Sequence, residues 1–171
     1  MRAWMVASLA LCATYGLAAC SKPSSPAGAP AAASPGATPS PAPPAELSEA
    51  DQKAMLATLP PPYRGADLEN GRSKLALCKA CHTLGQGGEA GVGPNLFGVF
   101  GRKAGSAPGF SYSDGMKALG VVWDADKLNT WITKPSAMVP GTKMTFAGVE
   151  NPKDRIELIA ALKVATSAAP K

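Results

Sequence analysis

Apolar positions fall along the chain in three regimes. From Met5 to Ala19 they are small and nearly continuous, behind a single positive charge at Arg2. That run is shorter than the roughly 20 apolar residues a membrane-crossing helix needs. It has the form of a signal peptide over residues 1–19, removed from the mature chain. From Ser21 to Ala45 the pattern disappears. Pro, Ala, Ser and Gly dominate there, with Lys22 the lone charge. Such a segment cannot bury a core and is expected to be a disordered linker. At about 3.1 Å per residue it would reach roughly 75 Å if fully extended.

Beyond residue 45 apolar positions recur at helical spacing. Met55, Leu56 and Leu59 give a modest stripe, with Ser48 as cap, Asp51 three residues on, and Pro60-Pro61-Pro62 as the stop. Residues 46–65 therefore read as a short helical connector that packs on the edge of a domain or stays loosely attached. The domain proper spans 66–166, with a tail at 167–171. Asp67 caps a helix through Leu68, Leu75 and Cys78. Gly71 sits inside it, where glycine costs about 1 kcal/mol against alanine. A close helix crossing would explain that glycine. The matching helix is near the C-terminus, where Asn151 caps, Pro152 takes the first position, and Ile156, Ile159, Ala160 and Lys163 keep helical spacing. Two shorter helices lie between, from Ser113 to a stop at Gly120 and from Asp124 to a stop before Pro135. The Gly-rich stretch from Gly85 to Gly109 must be loop, and so long a loop implies something to wrap. No strand pattern appears, so the expected fold is small and all-α.

Composition changes this picture in one respect. Aromatics make up only 6% of the 171 residues, thin for a protein core, and a buried cofactor would supply the missing apolar bulk. The formal net charge of +5, with no run of like charges, argues against nucleic-acid binding.

The candidate chemistry lies in Cys78-Lys79-Ala80-Cys81-His82, which reads as a c-type haem attachment site. Each thiol adds to one porphyrin vinyl group, so the two sulfurs must lie on one short arc, and the next residue turns its imidazole under the iron. A redox dithiol needs no histidine, and a zinc site needs two more ligands. His82 is the only histidine in the chain. With Cys12 in the leader and Cys20 at its end, no cysteine pair remains for a disulfide. A second axial ligand could come from Met116, Met138 or Met144. Met116 and Met138 are explained by packing, whereas Met144 follows the irregular Pro140-Gly141-Thr142-Lys143. The leader ends Leu17-Ala18-Ala19-Cys20, which resembles a bacterial lipobox. That resemblance implies acylation of Cys20 and a lipid anchor, against simple secretion.

Residues 66–165 resemble a class I cytochrome c of the mitochondrial type. The resemblance rests on Gly93-Pro94-Asn95-Leu96, Phe100-Gly101-Arg102-Lys103, Ala107-Pro108-Gly109-Phe110-Ser111-Tyr112, Trp123, the run Pro140 to Gly148, and Arg155 to Leu162. It implies one covalently attached haem c, with Cys78 and Cys81 as thioethers. His82 would bind iron through Nε2, with its Nδ1–H held by the Pro94 carbonyl. Met144 would be the other axial ligand. Tyr112, Trp123 and Thr142 would approach the propionates, with Arg102 offsetting their charge. Gly71 would cross the C-terminal helix near Ala160 and Ala161. The chain departs from the family at Trp131, where a tyrosine is common near the methionine sulfur, and at Met116, where a buried asparagine is common. Ser136, Ala137 and Met138 replace lysines and a tyrosine. The positive ring is thereby reduced chiefly to Lys79, Lys103, Lys134 and Lys143, and a weaker salt dependence of docking is implied.

An iron held by His and Met has no open position for substrate. The implied function is a monomeric one-electron carrier, not an enzyme, anchored on the periplasmic side of a bacterial membrane. By family analogy it would run from a quinol:cytochrome c reductase to a terminal oxidase. Alternatives are a dedicated cytochrome subunit of one oxidase or dehydrogenase, or a haem peroxidase. The last needs a general base that a chain with a single histidine does not supply.

Overall fold

Two helices that cross at a glycine set the architecture. The computed structural model describes residues 47–169, so the leader, Cys20 and the Pro-rich linker lie outside the described residues. In order, the elements are α1 (Glu49–Ala57), a 3₁₀ turn (Tyr63–Gly65), α2 (Leu68–Lys79), α3 (Asp114–Ala118), α4 (Ala125–Thr133), α5 (Pro135–Met138) and α6 (Pro152–Ala165). Among the described residues there is no strand, only an isolated antiparallel bridge between Lys103 and Val122. The fold is all-α, as the pattern predicts. No helix among the described residues is long and apolar enough to cross a membrane.

Each helix expected from sequence starts on its own capping side chain. Ser48, Asp67, Ser113, Asp124 and Asn151 all accept hydrogen bonds from backbone N–H groups of the first turn. These bonds satisfy donors that a helix start otherwise leaves unpaired. Two elements go beyond the expectation. The 3₁₀ turn follows Pro62, and α5 is a single turn opened by Pro135.

α2 and α6 form the most extensive helix pair. A Cβ on Gly71 would strike the Glu157 carbonyl oxygen and come within 2.9 Å of the Ala161 Cβ. The close approach thus falls on Glu157 and Ala161, one turn apart on α6. Polar groups at the crossing are paired. Asn70 Nδ2 donates to Glu157 Oε2, and Lys74 meets Asp154 at 3.1 Å.

α6 is buried nearly all round rather than along one stripe. Leu158, Ile159, Ala160, Ala161 and Leu162 are essentially inaccessible, and Ile156 and Lys163 are only half-buried. Its neighbours explain this, because α1, α2, α4 and the 3₁₀ turn all pack on it. Arg155 is buried as well. It donates to Asn129 Oδ1 and to the Val149 and Glu150 carbonyls, fastening α6 to α4 and to the segment before it.

Residues 49–65 are packed into this core. Met55, Leu56, Leu59 and Tyr63 are all at most 7% exposed. Tyr63 donates its hydroxyl hydrogen to Asp126 Oδ1 at 2.9 Å. Burial, and then the Asp126 carboxylate, push the Tyr63 pKa up to about 12. Of the two readings open from sequence, packing on the domain is the one observed.

Candidate haem site

The end of α2 delivers the Cys78-to-His82 stretch to a cavity of about 270 Å³. The Cys81 and His82 N–H groups both donate to the Cys78 carbonyl, closing the last turn. Cys78 is half-buried, Cys81 is exposed, and the two do not pair in a disulfide. Burial pushes the Cys78 thiol up to about 11, opposite to the low value a redox dithiol requires.

His82 is fixed by two features. Its Nδ1 lies 2.7 Å from the Pro94 carbonyl oxygen. A carbonyl can only accept, so Nδ1 carries the hydrogen and Nε2 keeps its lone pair for a metal. Gly93 makes room for the ring, because a Cβ there would sit 2.6 Å from Nδ1. Gly93 N–H in turn donates to the Cys81 carbonyl at 2.9 Å, binding this loop to the motif. Asn95 braces the loop through its amide, which donates to the Thr83 hydroxyl and the Gly85 carbonyl.

Every haem-contact residue expected from the resemblance lines this one cavity: Cys78, Cys81, His82, Pro94, Arg102, Tyr112, Trp123, Trp131, Thr142 and Met144. Of the three candidate methionines, Met116 and Met144 line it and Met138 does not. Met144 is positioned by its own N–H, which donates to Thr142 Oγ1 at 3.2 Å. The preceding Lys143 donates to the Ser111 carbonyl at 2.7 Å, fastening that loop to the 110–112 stretch. Trp123 is held by backbone pairing with Gly101 and Arg102, and its ring lies 5.8 Å from that of Trp131.

Arg102 needs a more precise description than a charge beside a propionate. Its NH1 and NH2 groups donate to the Phe97 and Asn95 carbonyls, both at 2.9 Å. The guanidinium therefore organises the loop backbone first. Burial pulls its pKa below the usual value and pushes that of Tyr112 above its own.

Sequence reasoning missed much of the apolar lining. Leu128 and Ile132 share the Trp131 face of α4, and Leu162 projects from α6; helical spacing carried that signal. Leu77, Val92, Leu96, Val99, Phe110 and Phe146 also line the cavity, mostly from loops that have no periodicity to read.

This lining suits a flat, apolar prosthetic group. Two thiols sit on one turn, an imidazole lone pair and a thioether share the cavity, and among the described residues no carboxylate lines it. Among the described residues no group of three or more His, Cys, Asp or Glu side chains forms a metal cage.

No family model matches the chain. Curated relatives do. Cytochrome c2 of Rhodomicrobium vannielii is 47% identical over 100 residues, which are 58% of this chain and 80% of that protein. Cytochrome c2 of Rhodoblastus acidophilus is 49% identical over 89 residues, 52% of this chain and 83% of its own length. Cytochrome c of Stellaria longipes is 48% identical over 89 residues, 52% and 82% of the two chains. With that similarity over an all-α fold and a cavity suited to haem, the chain belongs to the class I cytochromes c, one-electron carriers that hold a single covalently attached haem c.

Proposed function

We propose that this cytochrome is a membrane-tethered carrier on the periplasmic side, moving single electrons between a quinol:cytochrome c reductase and a terminal oxidase. Cys78 and Cys81 would hold the haem through their sulfurs, and His82 and Met144 would supply a nitrogen and a sulfur to its iron. The bound haem supplies a reversible one-electron couple. The protein supplies orientation, exclusion of water and a fixed histidine tautomer. The single observation that carries the reading is the 2.7 Å contact between His82 Nδ1 and the Pro94 carbonyl, in a cavity that Met144 also lines. The Pro94 carbonyl makes Nε2 the metal-binding nitrogen and strengthens it as a ligand. Met144 on the second iron face would leave no position for substrate, in keeping with transfer rather than catalysis.

The tether is read from Cys20 and the Pro-rich segment 20–45, ahead of residues 46–65 and the cytochrome domain at 66–166. A leash of that length raises the carrier's local concentration near membrane partners, so weak docking suffices.

Two variants test the two halves of the proposal. Met144→Ala should keep the haem covalently bound, abolish the weak far-red sulfur-to-iron band of the ferric form, and lower the potential. An unchanged spectrum refutes the ligand assignment. Cys20→Ala should move the cytochrome, with its haem intact, from the membrane to the soluble periplasmic fraction. Retention on the membrane refutes the lipid anchor.

A further inference from the structure

The stretch that carries Met144 is held at its two ends. Upstream, the Met144 N–H donates to Thr142 Oγ1, and Lys143 is tied to the Ser111 carbonyl. Downstream, among the described residues no backbone-to-backbone hydrogen bond holds Thr145, Phe146 or Ala147. The next fixed points are Gly148 and Val149. A Cβ on Gly148 would strike the Thr133 carbonyl oxygen, and the Val149 N–H donates to the Ile132 carbonyl at 3.0 Å. Ile132 and Thr133 are the last residues of α4.

Arg155 closes this downstream anchor. Its Nη1 donates to the Val149 carbonyl at 2.8 Å and to the Glu150 carbonyl at 2.7 Å. Its Nε donates to Asn129 Oδ1 at 2.9 Å. Arg155 is buried, and among the described residues no carboxylate forms a salt bridge with it. Such a guanidinium depends on its oxygen acceptors, and removing one leaves a donor of a charged group unpaired. The geometry divides the work. The Nη1 bonds fix one end of the planar group, and the Nε bond fixes the other, so Asn129 keeps the plane from turning. Asn129 does not line the cavity, although Leu128, Trp131 and Ile132 of the same helix do. Any effect it has on the site runs through Arg155.

We propose that Asn129 is a positioning residue for Met144: by fixing the Arg155 guanidinium it holds Val149 and Glu150, and with them the return of the Met144 stretch, against α4. The proposal rests on the reading of Met144 as the second axial ligand. Without the Asn129 oxygen the guanidinium is free to turn and its grip on the two carbonyls weakens. The stretch then opens more often, although the closed form stays the populated one.

The experiment follows imidazole displacing Met144 in the ferric, haem-loaded full chain by stopped-flow absorbance. At low imidazole the stretch recloses many times before imidazole binds, so the rate is proportional to the opening equilibrium. Asn129→Leu nearly keeps the volume and removes the acceptor, and it should raise that rate about tenfold or more. Asn129→Ala also lacks the acceptor, favours the helix, and should act in the same way. Asn129→Asp keeps an oxygen on the same short side chain and should stay within about threefold of the parent. Tyr63→Phe controls for lost stability, because it removes a hydrogen bond to Asp126 of the same helix without touching Arg155. It should stay within about threefold of the parent. Amide hydrogen exchange at Val149 should quicken in Asn129→Leu and not in Tyr63→Phe. Rates for Asn129→Leu and Asn129→Ala within about threefold of the parent, or a rise that Tyr63→Phe or Asn129→Asp matches, overturn the proposal while the far-red sulfur-to-iron band of the parent stands. A parent without that band overturns the ligand reading and the proposal with it.

Discussion

The two sides of this molecule close in different ways. On the α2–α6 side, closure is by contact. Gly71 lets two backbones meet, Ala161 lies against it, the polar groups that enter the seam, Asn70 and Glu157, pair with each other, and Arg155 fastens α6 to α4. On the loop side, closure is by backbone hydrogen bonds strung around a cavity. Asn95 braces one loop, Arg102 another, and Lys143 ties a third to Ser111. The first side is complete as protein; the second is complete only around its cofactor. Leu162 belongs to both, buried in α6 yet lining the cavity, so the cost of an unfilled site reaches the crossing.

The largest expected effect breaks that dependence. A Cys78→Ala/Cys81→Ala chain without attached haem should lose its cooperative thermal transition and most of its helical circular dichroism. Without the haem, the apolar side chains of the lining, Leu128, Trp131, Ile132 and Leu162 among them, lose the surface they pack against and face water instead. Survival of a cooperative transition would mean the helical side stands alone.

Next in size is Gly71→Val, which places branched carbons against the Glu157 carbonyl. It should cost about 3–4 kcal/mol in denaturant unfolding of the haem-loaded chain, through overpacking at a crossing that cannot spread. A loss below about 1 kcal/mol would show that the crossing is looser than its geometry.

The smallest effect sharpens the contrast at the edge of the helical side. Tyr63→Phe removes one hydrogen bond to Asp126 and should cost about 1 kcal/mol near neutral pH. The sign with pH follows from the raised pKa. An unfolded tyrosine loses its proton near 10, whereas folded Tyr63 keeps it to about 12. Between those values the folded state binds more protons, so stability falls as pH rises through the window. Tyr63→Phe should flatten that slope. An identical slope in parent and variant would assign it to another group.

Helix starts were legible because each depends on a single local side chain, as at Asp67 and Asn151. The Cys78-to-His82 motif could be marked out because covalent chemistry fixes such a spacing, and the place of Met144 at the cavity because a whole loop resembles a known family. What escaped depends on partners distant in sequence. Nothing in the stripe of Met55, Leu56 and Leu59 says that it meets α6, and nothing local to Ile159 says that its helix is buried nearly all round. Arg102 reads from sequence as a propionate partner, and its bonds to the Phe97 and Asn95 carbonyls are a further role that no local pattern shows. Loop residues such as Val92 carry no periodicity, so their place at the cavity appears only in three dimensions.

The docked connector has a mechanical consequence. Chain arriving at residue 47 joins the domain through α1, which packs on α6 and contributes nothing to the cavity lining. If the segment before residue 47 is a tether, as proposed, a pull on it would load Met55, Leu56, Leu59 and the Tyr63–Asp126 bond before any loop that carries His82 or Met144. The connector would then act as strain relief, as a clamp does where a cable enters an instrument, leaving the surroundings of the cavity unstressed.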